Sequence, residues 1–293
     1  MSLLRRAMVA MAFSAGVLSA SAQDATVPGE NIFGFTDPTD VGNPGDTALK
    51  SENTGRLGKR MGRYFALESK TELSRTLGEN LLGAVSLFNS YYRVLDVPDI
   101  DRNLTRAAFD GLSFEIVRRV VERSATNPFA VSLAFEPRWS RFDVAGGTGT
   151  RAEAFSAEAK LFIDAAVVPG KLFWAMNLNY APATQRSREP GAKWVESAEA
   201  NISTALTYAW SPSVFTGGEV RFVSAFEKAF FSRYAGSALY VGPTFAWKIS
   251  DKAVFNAVWT AQVAGRSQTN KDRVLDLDNF ERHHFRAAFA MQF

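Results

Sequence analysis

Phe285-Arg286-Ala287-Ala288-Phe289-Ala290-Met291-Gln292-Phe293 closes the chain, and its pattern decides the fold. Large apolar residues at 285, 289, 291 and 293 alternate with Arg286, Ala288, Ala290 and Gln292. A period of two gives a strand one greasy face and one face that is not. Terminal residues fray unless something ties them down, so a soluble protein seldom ends in a strand this well patterned. The tail alone leaves two readings: the last strand of a soluble sandwich, or of a barrel in lipid.

Working outward, the alternation recurs. Over 128–142, Phe129, Val131, Leu133, Phe135, Pro137 and Trp139 share one face, opposite Ala130, Ser132, Ala134, Glu136, Arg138 and Ser140. Over 170–181, Leu172, Trp174, Met176, Leu178 and Tyr180 oppose Lys171, Phe173, Ala175, Asn177 and Asn179. Segments 194–210 and 252–265 repeat the theme, with Trp210 and Trp259 on the greasy side. Each segment exceeds the ~5–6 residues usual in soluble sheets and reaches the ~9–11 that a tilted strand needs to cross a bilayer. Charges occupy one face and aromatics the other, the inside-out pattern of a membrane barrel.

The spacing predicts strands at 44–54, 61–74, 80–93, 108–122, 128–142, 151–165, 170–181, 194–210, 213–226, 236–249, 252–265 and 279–293. Short connections at 75–79, 123–127, 166–169, 211–212 and 250–251 alternate with long polar ones at 94–107, 143–150, 182–193, 227–235 and 266–278. The expected fold is all-β, a closed antiparallel transmembrane β-barrel of about twelve strands with short periplasmic turns and longer extracellular loops. Closure is required because lipid offers no hydrogen bonds to an edge strand.

At the other end, Arg5 and Arg6 precede an apolar run from Ala7 to Val17 and the small-x-small site Ala20-Ser21-Ala22. That order predicts a secretory signal peptide over 1–22, removed before Gln23. Residues 23–43 follow as an irregular segment, a periplasmic leader or a lumen plug, and 44–293 as the barrel. The chain has no Cys, which excludes disulfides, thiolate metal sites and a cysteine nucleophile. Without Arg5 and Arg6 the balance is 31 basic to 30 acidic residues, so nothing in the charge recommends nucleic acid as a partner.

Residues 30–42, with Gly55-Arg56, Gly58-Lys59-Arg60, Phe109-Asp110-Gly111-Leu112-Ser113, Val241-Gly242-Pro243-Thr244 and Asn279-Phe280-Glu281-Arg282-His283, carry a resemblance. Together they resemble a family of uncharacterised proteobacterial outer-membrane proteins, porin-like barrels, over nearly the whole mature chain. The resemblance implies a barrel in the bacterial outer membrane and supplies no activity or site. The terminal Phe293 likewise resembles the signal read by barrel-insertion machinery. Outer-membrane lipid and lipopolysaccharide are then the expected surroundings.

Alternation points Glu68, Lys70, Glu115, Arg119, Glu136, Arg138, Glu158, Lys160, Glu219, Arg221, Arg282, His284 and Arg286 toward the lumen. One reading is a polar pore that orients small polar or weakly charged solutes during passive diffusion. The other is a network of ion pairs that fills a narrow barrel. Phe33 and Phe35, separated by Gly34, are candidates to wedge the pore. His283 and His284 are the only histidines, and as adjacent strand residues they point apart, so they make no simple metal pair. An outer-membrane lipid hydrolase would need a Ser and His two residues apart on one face, but position 281 is Glu and position 285 is Phe. A non-enzymatic channel without cofactor or metal is the expectation; a phospholipase-like enzyme or a closed structural or adhesive barrel are the alternatives.

Overall fold

The computed structural model describes residues 31–98, 100, 103–124, 126–143 and 147–293. The expected signal peptide and the first residues of the irregular segment lie outside the described residues.

Twelve antiparallel strands close into a barrel: β1 (Thr47–Leu57), β2 (Arg63–Gly78), β3 (Leu81–Leu95), β4 (Leu104–Val121), β5 (Phe129–Phe142), β6 (Arg151–Val168), β7 (Leu172–Ser187), β8 (Val195–Ala209), β9 (Val214–Phe226), β10 (Tyr234–Ser250), β11 (Ala253–Ser267) and β12 (His283–Gln292). Each strand pairs with its sequence neighbour, and β12 returns to β1 in the register Leu49↔Met291 to Leu57↔His283. The terminal nonapeptide is therefore held by ladders on both sides, to β1 and to β11. At the seam, Gly55 lies under the Phe285 ring, which leaves no room for a Cβ.

The alternation sorts the two faces. On β5, Ala130, Ser132, Ala134 and Glu136 are buried, whereas Phe129, Leu133 and Phe135 are 45%, 49% and 54% exposed. Leaving such a side chain in water forgoes roughly 1.5–3 kcal/mol of burial, so a wall of them is stable only against hydrocarbon. Aromatic pairs collect near the two rims of this outer face: Phe129–Trp174 and Tyr208–Trp210 at one, Phe155–Trp194 and Phe109–Trp139 at the other. Amphipathic rings suit the headgroup zones that bound an apolar band.

Connections at the first rim span 79–80, 122–128, 169–171, 210–213 and 251–252; those at the opposite rim span 58–62, 96–103, 143–150, 188–194, 227–233 and 268–282. Strand boundaries differ from the sequence expectation at several ends, with β2 running on to Gly78, β4 starting at Leu104 and β6 ending at Val168, and at three further ends the cause is visible. β1 starts three residues later, because 43–46 form a turn hydrogen-bonded to Thr76 and Asp46. β7 continues through Pro182 to Ser187 inside the expected loop, since β6 offers it partners up to Ala152. β12 begins at His283 rather than 279, because Asp276 caps the turn at Asp278 and Asn279.

Candidate functional site

A cavity of about 1150 Å³ occupies the lumen. Asn43, Asp46 and Lys252 line it at the short-turn rim, and Glu196, Glu227 and Arg233 at the long-loop rim. Ten of the thirteen residues expected in the lumen line this space: Glu68, Lys70, Glu115, Glu136, Arg138, Glu158, Lys160, Arg221, His284 and Arg286.

Three do not. Arg282 is exposed and lies before β12, while its neighbour Glu281 turns inward instead. The Arg282 backbone still pairs with Gln262 and Gly58, in continuation of the β12 register, but the chain bends at 282 before β12 begins, and 281 and 284 both come to line the inner side. Arg119 and Glu219 do project inward, but the chain before β1 covers them: Asp40 sits 3.4 Å from Arg119, and the Phe35 N–H donates to Glu219 at 2.7 Å.

On β1–β6 the inner wall is an ion-pair network. Lys160 meets Glu136 at 2.5 Å and Glu115 at 2.9 Å; Lys70 meets Glu72 at 2.8 Å and Glu136 at 3.2 Å. Arg138 bridges Glu68 and Asp110 at 2.7 and 2.9 Å and lies over the Phe88 ring. Lys50 and Arg286 share Glu52 at 2.9 and 3.1 Å. Sequence reading omitted Lys50, Glu52 and Asp110. Their signals were present, a Lys50-x-Glu52 alternation and the Phe109-Asp110-Gly111 stretch, but β1 is otherwise poorly patterned.

Residues 31–46 run along the inside of the wall. The Asn256 side chain (β11) donates to the Asn31 carbonyl; Ile32 and Phe33 pack with Phe173, Ala205, Phe215 and Ala246. Thr36 donates to Ser203 (β8), and the Asn177 amide (β7), in the orientation that satisfies both its atoms, bonds the Asp37 backbone. Thr39 donates through its N–H and hydroxyl to Asp164 (β6), whose other oxygen takes Arg123, and Ser132 (β5) donates to the Thr39 carbonyl. Val41 packs with Leu82, Val117, Ala134 and Phe162, and its carbonyl accepts from Thr76 (β2). The segment thus touches every strand from β11 round to β2. Burial raises the Asp40 carboxyl above its ordinary value, with Arg119 opposing.

Phe33 does not wedge the lumen, because its ring is fully buried against the wall. Phe35 faces the cavity and lies beneath two guanidinium groups, Arg221 at 4.0 Å and Arg286 at 4.6 Å. Between them Gly34 approaches so closely that a Cβ would stand 2.4 Å from a Glu219 oxygen and 2.7 Å from Val258. A glycine is what lets consecutive aromatics take opposite duties here.

His284 bonds Glu281 at 3.1 Å and stacks on Tyr240 at 4.3 Å, while His283 stacks on Trp259 on the other side of the sheet. Burial would raise the Glu281 carboxyl, but Lys59 at 3.0 Å, the His284 bond and Arg56 hold it well below the usual range. Among the described residues no Ser or Thr hydroxyl bonds either histidine, and no cluster of His, Asp and Glu has the makings of a metal site.

In fold, the chain is similar to the COG4313 outer membrane channel from Pseudomonas putida F1, with 9% identity, 88% of this chain and 100% of that chain covered, and a TM-score of 0.58. It overlaps less well with the NanC porin (8% identity, 83% and 98% covered, TM-score 0.49). The translocator domain of the autotransporter NalP from Neisseria meningitidis is similar at 12% identity, with 87% and 91% covered and a TM-score of 0.47. At these identities the likeness concerns the barrel alone. No curated protein matches by sequence. Residues 25–293 match the model of a family described as "Family of unknown function (DUF6662)", and the chain belongs to that family.

Proposed function

We propose that this barrel is an outer-membrane channel that passes small polar or weakly charged solutes by passive diffusion. One observation carries the reading: the lumen holds a cavity whose lining includes residues of both rims, beside the inner segment rather than ended by it. A lumen filled only to stabilise the wall would leave no such space. Residues 31–43 act as a constriction that narrows the passage, and Phe35 with Arg221 and Arg286 forms its charged edge. The outer face suits outer-membrane lipid and lipopolysaccharide, and Phe293 serves the insertion machinery.

Conductance in planar bilayers tests this. The refolded protein should give discrete steps, and Arg221→Glu should move ion selectivity toward cations. Full insertion, judged by heat-modifiable migration on gels, with a silent bilayer would refute the proposal.

A further inference from the structure

Beside the main cavity, a niche of about 160 Å³ opens between the inner segment and β6–β9. Its lining carries three acids, Asp37, Glu158 and Glu199, and three bases, Lys160, Arg221 and Arg286. Four of these six are committed. Lys160 binds Glu115, Glu136 and Glu158; Arg286 binds Glu52; Asp37 accepts from Asn31 and faces Lys50. Arg221 and Glu199 make no ion pair or hydrogen bond among the described residues, and the Arg221 Nε and Nη1 are buried without a partner. A buried guanidinium left without acceptors is costly, whereas Glu199 is exposed to the lumen and its carboxylate stands open to a cation.

The register keeps the two from meeting. Arg221 stands opposite Ser203 and Glu199 opposite Ala225, four residues apart on the β8–β9 ladder. At about 3.3 Å per residue that is roughly 13 Å along the strands. Between their levels stand Asn201 and its direct β7 partner Asn179, each with an unpartnered side-chain oxygen. Asn179 donates its nitrogen to Glu158, which leaves the oxygen as its open group. The niche therefore offers one cationic donor at one end and, toward the other, a carboxylate with two amide oxygens.

We propose that this niche is a binding subsite for a small zwitterion, an amino acid whose carboxylate meets Arg221 and whose ammonium meets Glu199, Asn179 and Asn201. Three acceptors match the three N–H bonds of an ammonium. A zwitterion also adds no net charge to a lining already balanced, whereas a lone anion or cation would unbalance it. The proposal deepens the channel reading by naming a solute class.

The test compares 4-aminobutanoate with its two half-probes, butanoate and butylammonium, by saturation-transfer NMR on the folded protein in detergent, alongside block of bilayer current. The zwitterion should bind at least about tenfold more tightly than either half-probe, because each lost charged contact is worth about 1.5–3 kcal/mol. Arg221→Gln should abolish that preference over butylammonium, and Glu199→Gln the preference over butanoate. Equal affinities for all three probes, or a preference indifferent to both substitutions in variants that still migrate as folded barrels, would overturn it. Selective NMR binding with a silent bilayer would keep the subsite and sink the channel; conductance without selective binding would do the reverse.

Discussion

The lumen has two unlike halves. The wall of β1–β6 pairs nearly all its charges within 2.5–3.4 Å, in a web running from Lys50 and Glu52 through Lys70, Glu136 and Lys160 to Arg138 and Asp110. The stretch around β7–β9 has fewer charges: Arg221 and Glu199 make no ion pair among the described residues, and Arg221, Asn179 and Asn201 each bury a side-chain atom without a hydrogen-bond partner. Paired charges that satisfy one another hold a wall together and present little to a solute. Unpaired ones tolerate the cost of burial only where something else can complete them. The contrast separates the part of the lining that stabilises the barrel from the part that can recognise cargo.

The largest break comes on the paired side. Glu136→Ala removes the shared partner of Lys70, Lys160 and Ser113, leaving two buried ammonium groups each one carboxylate short. It should cost about 3–5 kcal/mol, seen as a lower unfolding midpoint in urea with detergent. Arg221→Gln, on the unpaired side, should change stability by less than about 1 kcal/mol while shifting ion selectivity. Equal destabilisation by the two substitutions would erase the distinction.

Between these extremes lies the inner segment, which bridges both halves. Gly34→Val would drive a side chain into Glu219 and Val258. It should cost about 1–3 kcal/mol of segment docking and raise single-channel conductance as the constriction lifts. Conductance unchanged by a variant that does loosen the segment would remove 31–43 from the passage.

The smallest expected effect concerns the long-loop rim. Burial would raise Asp278, but hydrogen bonds from Ser267, Asn270 and Arg60 hold its carboxyl below the usual range, as Lys59 does for Glu281. A carboxyl depressed in the folded state contributes stability that is present above its unfolded value and lost as pH falls through the folded one. Amide exchange in 268–282 should therefore stay slow from neutral pH down to the ordinary carboxylate range and quicken only below it. Quickening at pH 6 would refute this assignment.

Much of the architecture was legible because a strand's period is independent of what the strand pairs with. Phe129 and Glu136 declare opposite faces from spacing alone, and the lipid-facing aromatics amplify the signal. The errors have a common cause. Arg282 was assigned inward by extending the period past the bend that precedes β12, and Phe33 was grouped with Phe35 because Gly34 leaves no local pattern.

Strand number, the inversion of greasy and charged faces, and closure of the terminal nonapeptide into a ladder were all determined by the sequence, since each follows from two-residue periodicity and the need to satisfy every backbone group. Only the tertiary structure decided that residues 31–46 lie against the inner wall, that Glu281 rather than Arg282 turns inward, and that Arg221 and Glu199 remain apart. Those outcomes depend on register between distant strands, and contacts made across a barrel leave no periodic trace along the chain.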